Sequence, residues 1–339
     1  MDESLDSARR AVPLAAISAV AGLALLAYAI STAGVAEIAE GLRRLGAGFL
    51  AIVALSGLRF ACRTWGWMVC IEGQPRLRFF EAFEAKLIGD ALGNLTPMGL
   101  FVSEPAKAML VRRTVQVSNA VPAMLIENMV CALSGVVMIG LGALAVLVAL
   151  PLRGPLRPLS VALLAGAVVT IGASGWLMTA RPGLMSGFAG WLHRRGLVPH
   201  RLHAALDRVR SLEERVFGFA TRHPGRVPWL LLLMLAFHLV TIGEAYVTLA
   251  YITDTVTPSF LTAYLFEAIN KLVTVGFTFV PLRLGVDEAA TGYVAKALQL
   301  GTATGVTLAL VRKARMLCWS AVGVALLARR GFRRRPASG

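Results

Sequence analysis

Acidic residues are scarce in this chain: 19 Asp and Glu stand against 34 Lys and Arg, and charged residues of both signs make up only 16% of 339 positions. Soluble domains carry roughly a quarter, so the deficit excludes an ordinary soluble protein. What fills the space is apolar, 57% of the residues with a mean hydropathy of +0.69, the composition of an integral membrane protein. Cysteine is rare too. Cys62, Cys70, Cys131 and Cys318 lie in apolar runs without metal-ligand spacing, which excludes a disulfide framework or zinc site and leaves four buried free thiols as the expectation. GxSxG, HExxH, Walker A and dinucleotide fingerprints are missing, as is a soluble segment large enough for a separate active site. A protein that is not an enzyme and uses no cofactor or metal is therefore expected, with movement that is passive or ion-coupled if it transports. No small-residue cleavage site follows the first apolar run, so that run reads as a retained span.

Six apolar runs are long enough to cross a hydrocarbon core of roughly 30 Å, which takes about 20 helical residues: 12–33, 47–71, 121–150, 159–180, 228–252 and 303–328. The net charge of +15 lies mostly beside them, with nine arginines in 181–226 and five in the tail "RRGFRRRPASG". The positive-inside rule puts both on the cytoplasmic side of a bacterial cell membrane, with both chain termini there. Contact with an anionic lipid surface follows; nucleic acid is not expected. Residues 181–227 read as a basic connector with an interfacial amphipathic helix, Leu202, Leu206, Val209, Leu212 and Val216 along one side.

Two segments, 79–113 and 258–300, fit no simple span. Each is an apolar limb, a Pro/Gly break and a second limb. The first limb, 79–94, covers about 24 Å at 1.5 Å per residue, too short to cross, so a re-entrant hairpin is expected. "TDTVTPSFLT" and "QLGTATGVT" beside the second segment lack Lys and Arg, whereas Arg76, Arg78, Arg112 and Arg113 flank the first. The hairpins should therefore enter from opposite faces. "FEAKL" at 83–87 resembles "FEAINKL" at 266–272, and Pro97 and Pro281 are 184 apart (281 less 97), as are Glu104 and Glu288 (288 less 104). The fold class expected is all-α and polytopic: a single transmembrane domain over 1–339, with six spans and two re-entrant hairpins in an inverted-topology repeat, 47–150 and 228–328.

A charge at bilayer depth costs on the order of 2.5 to 3.5 kcal/mol even on lenient scales, so it is a functional candidate. Arg59 and Arg63 share one helix face, as do Arg312 and Arg315, and guanidinium groups grip a phosphodiester or other anionic head group bidentately. Lys271, Arg283 and Glu288 join them in the second repeat, and Glu104, Glu127, Glu244 and Glu288 are candidate ion couplers. Structural ion pairs with Glu84, Glu104, Glu127 or Glu288 are the alternative for each arginine. In "VSEPAKA", Ser103 reads as an N-cap with Pro105 in the first turn, placing Glu104 and Lys107 at a new helix's start.

At "NLTPMGLFVSEPAKAMLVRR", followed by "AVPAMLIENMV", the chain resembles the flippase-like transmembrane family typified by the membrane region of lysylphosphatidylglycerol synthase. "FVPLRLGVDEAATGY" and "VRKARMLCW" resemble the second break and its later arginine. The resemblance makes Asn94, Glu104, Lys107, Glu127 and Arg312 or Arg315 substrate-binding residues. Departures are Ser103 for glycine, Lys107 for arginine and Asn128 for arginine, so the resemblance leaves the head-group chemistry open. The resemblance implies a transport half without the aminoacyl-transferase domain, acting on a phospholipid, an aminoacyl-phospholipid, a hopanoid or a polyprenyl-linked lipid. An intramembrane lipid-linked transferase and an accessory subunit of an envelope-synthesis complex are the competing classes; association of identical chains stays open. In a chain stripped of native cysteines, a thiol at Thr253 or Thr302 should react with an impermeant maleimide in intact cells, and one at Arg78 or Arg113 should not. Labelling of both pairs from one side would overturn the topology.

Overall fold

The computed structural model describes residues 28, 30–31, 34–73, 77–95, 99–149, 156–180, 203–253, 258–277, 280 and 283–332. These residues hold twelve helices and no strand. They are α1 (Val35–Leu45), α2 (Gly48–Cys70), α3 (Phe79–Leu95), α4 (Gly99–Val111), α5 (Val117–Ala149), α6 (Leu156–Ala180), α7 (His203–Phe217), α8 (Phe219–Arg222), α9 (Val227–Ile252), α10 (Phe260–Gly276), α11 (Val286–Ala297) and α12 (Thr302–Phe332). An all-helical chain satisfies its backbone groups within each segment, the requirement hydrocarbon imposes.

Five of the six apolar runs coincide with α2, α5, α6, α9 and α12; the run 12–33 lies almost wholly outside the described residues, as do Pro97, Pro281 and 181–202. By length and apolarity, Val117–Val148 and Arg226–Ile252 qualify as spans, and α1 with α2 is a third if their 75° bend is counted within one span. Helices α2 and α12 are long, at 23 and 31 residues, but Arg59 and Arg63, and Arg312, Lys313 and Arg315, interrupt their apolar runs. The side chains left on the surface are those of a protein in lipid: Val137, Leu141, Leu144 and Val148 of α5, Val168, Val169 and Trp176 of α6, and Trp229, Leu231 and Leu235 of α9 are exposed. Cys62, Cys70 and Cys131 are buried free thiols, but Cys318 is exposed, beside the exposed Leu317 on the outer face of α12.

The described residues form two compact units, neither continuous in sequence. The first takes those of 1–61, 80–110 and 236–339, the second those of 62–79 and 111–235. In the first, α12 is the common neighbour. Its Val306 packs on Ile38 of α1, and the ring of Trp319 meets Phe60 of α2 and Phe83 of α3 at centroid distances of 5.4 and 6.3 Å. Two glycines let backbones touch: a Cβ on Gly305 would lie 2.2 Å from the Thr291 carbonyl oxygen on α11, and one on Gly323 would lie 2.5 Å from that of Leu87 on α3. Helices α3 and α4 approach as closely, a Cβ on Gly99 falling 2.0 Å from the Gly93 oxygen. Because α4 starts at Gly99, Ser103 is inside it and not its N-cap, and Pro105 is internal; the small Gly99 permits the earlier start.

In the second unit, α5 packs on α6, with Gly140 against Ala167. Buried Trp67 donates to the Ala120 carbonyl at 3.4 Å. Arg226 donates to the Ile71 carbonyl at 2.9 Å, beside a cavity of about 230 Å³ lined by Met68, Val69, Ile71, Gly73 and Trp229. The connector's helix is α7, whose Leu212 and Val216 are half-buried; Leu202 lies outside the described residues, and Arg215 of α7 donates to Asn119 at 2.8 Å.

Helix lengths repeat along the chain. Helices α3 and α10 have 17 residues each, α4 and α11 have 13 and 12, and α5 and α12 have 33 and 31. The close approach at Gly305 leaves no room for a methyl group, so Gly305→Ala should destabilise by about 1 to 3 kcal/mol through overpacking. At Gly243, which has open space around its Cβ position, alanine should be neutral or gain up to about 1 kcal/mol. Thermal midpoints of the two variants in one detergent check the contrast.

Candidate functional site

One turn of α12 carries three cations, and at about 100° per residue it aims them in different directions. Arg312 and Arg315 share a side, about 60° apart, while Lys313 points away from both. Each meets a carboxylate on another helix. Arg315 donates to Glu244 of α9, and Arg59 of α2 donates to the second oxygen of the same carboxylate at 3.0 Å. Arg312 donates to Glu267 of α10. Above the Phe237 ring lie two cations, the Arg59 guanidinium 5.5 Å and the Lys271 ammonium 4.9 Å from the centroid, where the ring's negative face attracts them.

This cluster is unbalanced. Three arginines, Arg59, Arg312 and Arg315, face two carboxylates, Glu244 and Glu267, whose side chains are 5% and 3% exposed. Among these five described residues the formal surplus is one positive charge. Arg59 Nε and Arg312 Nη1 are buried without a hydrogen-bond partner among the described residues, so the cluster retains unused donors.

Lys313 serves another pair. Its ammonium is 2.7 Å from Glu288 Oε1 and 3.4 Å from Asp287 Oδ2, both on the first turn of α11. Arg283 also reaches Asp287, at 3.4 Å, and its left-handed backbone, φ 48°, a conformation uncommon outside glycine, accompanies a carbonyl 3.4 Å from Lys313 Nζ. A parallel arrangement joins α3 and α4. Buried Lys107 bridges Asp90 at 2.7 Å and Glu104 at 2.8 Å, and the Ser103 hydroxyl donates to Asp90 at 3.3 Å. Gly89 makes room for the lysine stem, a Cβ there falling 2.4 Å from it. Asn94 donates to Ser320 of α12 at 3.1 Å, and Arg330 grips Glu84 through bonds of 2.7 and 2.9 Å.

Nine of the sequence-derived candidates, Arg59, Asn94, Glu104, Lys107, Lys271, Arg283, Glu288, Arg312 and Arg315, thus belong to the first unit, in three groups that α12 touches or a lysine organises. Arg63 and Glu127 belong to the second. There Arg63 donates to Glu127 at 2.6 and 2.8 Å and to Asn128 at 2.6 Å. Asn128, standing where the resemblance led to an arginine, is an acceptor for Arg63. Glu104 and Lys107 hold each other. The sequence reading left out Glu244, Glu267, Asp90, Asp287 and Lys313 as binding residues; Lys313 sits between two chosen arginines in "VRKAR", Asp287 adjoins Glu288, and Glu267 is the glutamate of "FEAINKL".

Long apolar helices around buried, cross-helix ion pairs define an all-helical integral membrane protein with a polar interior. The chain belongs to the lysylphosphatidylglycerol synthase TM region family, whose model matches residues 14–325. No curated protein and no solved structure matches it. Membership makes this a membrane protein linked to lipid metabolism.

Removing one partner of a buried ion pair costs about 3 to 5 kcal/mol, whereas replacing both by apolar groups is often neutral. Glu127→Ala should therefore lower the thermal midpoint in detergent more than the joint replacement Arg63→Met with Glu127→Leu. Equal losses would show that the two residues are not energetically coupled.

Proposed function

We propose that this protein is a lipid transporter of the bacterial cell membrane, moving an amphipathic lipid with an anionic head group between leaflets without changing its covalent structure. The carrying observation is that three buried or half-buried arginines, Arg59, Arg312 and Arg315, face two carboxylates, Glu244 and Glu267, with two buried guanidinium nitrogens unpartnered among the described residues. Buried charge in a membrane protein is costly unless paired. A phosphodiester supplies the missing negative charge and accepts bidentate hydrogen bonds from arginine, while its acyl chains stay in the bilayer.

The architecture proposed for this task is six spans with two re-entrant hairpins, α3–α4 and α10–α11, in an inverted-topology repeat with cytoplasmic termini. Two features support it: the matched lengths of α3 and α10, α4 and α11, and α5 and α12, and the lysine shared by an Asp and a Glu in each half. Broken helices meeting at bilayer depth build substrate sites in transporters, because irregular backbone survives there only around a cavity.

The test is a leaflet-resolved assay in proteoliposomes containing labelled phosphatidylglycerol and, separately, a neutral glycolipid. Each charge-assisted hydrogen bond contributes about 1.5 to 3 kcal/mol, and about 1.4 kcal/mol is tenfold. Arg312→Gln should therefore slow movement of the anionic lipid at least about tenfold, and Arg312→Lys less. Failure of the wild-type protein to move any charged lipid would overturn the proposal, and a covalently altered lipid would favour a transferase.

A further inference from the structure

Glu288 is the one residue of the α11–α12 cluster with no exposed side-chain surface. Its Oε1 stands 2.7 Å from the Lys313 ammonium as an ion pair, and both carboxylate oxygens are buried with no hydrogen-bond partner among the described residues. The neighbouring Asp287 is in a similar position: Oδ2 is shared by Lys313 and Arg283, each at 3.4 Å, and Oδ1 is buried and unpartnered. Two carboxylates share Lys313, and Arg283 adds a second cation on the Asp287 side only, from a side chain 29% exposed, so Glu288 has no cation to itself. The elements packed on α11 are α10 and α12. Of their charged groups, Glu267 is engaged by Arg312, Lys271 lies over Phe237, and Arg315 is engaged by Glu244, so Lys313 is the cation that α12 turns toward Glu288.

We propose that the Asp287–Glu288 pair is a proton-binding site, with the proton held on Glu288 Oε2. A proton from water forms the O–H bond, and the charge of the Glu288 side chain goes from minus one to zero with no other bond in the cluster made or broken. Protonation removes a buried negative charge, whose burial is the costly state, and leaves Oε1 beside the Lys313 ammonium. A metal cation is disfavoured because the ammonium already stands within 3.4 Å of both carboxylates. Chemistry separates this pair from the other buried carboxylates. Glu244, Glu267 and Glu127 each face an arginine, whereas Glu288 faces a lysine. The Asp90–Lys107–Glu104 cluster also shares one lysine between an Asp and a Glu, but Asp90 and Glu104 are 29% and 20% exposed. As a coupling site for lipid movement this inference rests on the transport reading; as a proton-binding site it does not.

Infrared difference spectroscopy on the purified full chain, between about pH 8 and about pH 5, tests it directly. Wild type should show the carbonyl band of a buried protonated carboxyl, retained in Glu104→Gln and lost in Glu288→Gln. Absence of the band in wild type, or its persistence unchanged in Glu288→Gln, overturns the proposal. Should Glu288→Gln fail to purify, Glu288→Asp decides: a displaced band assigns it to position 288, and an unmoved one overturns the assignment. In proteoliposomes, Glu288→Gln should also abolish the pH dependence of lipid movement. If wild type moves no lipid at any pH, the transport reading fails while the infrared band still decides the proton site.

Discussion

A cation inside a membrane protein has to be neutralised by the protein itself, and α12 places three of them within four residues. Arg312, Lys313 and Arg315 each draw in a carboxylate from another helix, Glu267 of α10, the Asp287–Glu288 pair of α11 and Glu244 of α9. Leaving any one unpaired would be costly at that depth. The arrangement of the first unit follows from meeting all three demands together. Close approach at Gly305 and Gly323 is part of the same solution, since short side chains must reach across helix interfaces. Further along α12, Ser320 and Arg330 tie in α3 through Asn94 and Glu84.

Neutralisation is uneven, and the unevenness is what has chemical meaning. Among the described residues three arginines face Glu244 and Glu267, while Lys313 and Lys107 are each shared by an Asp and a Glu, with Arg283 as a second cation on Asp287. Arginine and lysine are used differently in the two settings. Arginines face the single glutamates, where their fixed charge and planar fork suit a carboxylate. Each lysine is shared by an Asp and a Glu, an arrangement whose charge a proton can adjust. In the transport reading proposed above, the arginine cluster would accept the anionic head group and the lysine-shared pairs would adjust charge, both within one compact unit. Glu288, buried at 0% exposure, carries that logic furthest.

Much of the architecture was readable from apolar run lengths, because helices that face hydrocarbon need continuous apolar sequence and little else. The runs at 47–71, 121–150, 159–180, 228–252 and 303–328 fall on α2, α5, α6, α9 and α12 within a few residues. Local signals misled where packing overrode them. Ser103 has the chemistry of an N-cap, yet α4 starts at Gly99, whose missing side chain lets it lie against Gly93, and the Ser103 hydroxyl donates to Asp90 instead. Cys318, in an apolar run like its three fellows, is exposed, because an apolar run does not say which of its faces is covered.

The sequence by itself determined the class of protein, the family pattern and the list of charges that had to matter, since an ionisable residue in an apolar run is conspicuous without any coordinates. It could not assign partners. Arg59 and Glu244 are 185 positions apart, Arg330 and Glu84 246, and Arg63 and Glu127 64. No local rule connects such distances. Only the tertiary structure decided that Glu104 and Lys107 hold one another with Asp90, that Asn128 accepts from Arg63, and that Lys313 was the omitted member of its turn. The reason is directional: spacing along a helix tells which side a residue faces, and packing alone tells what stands opposite.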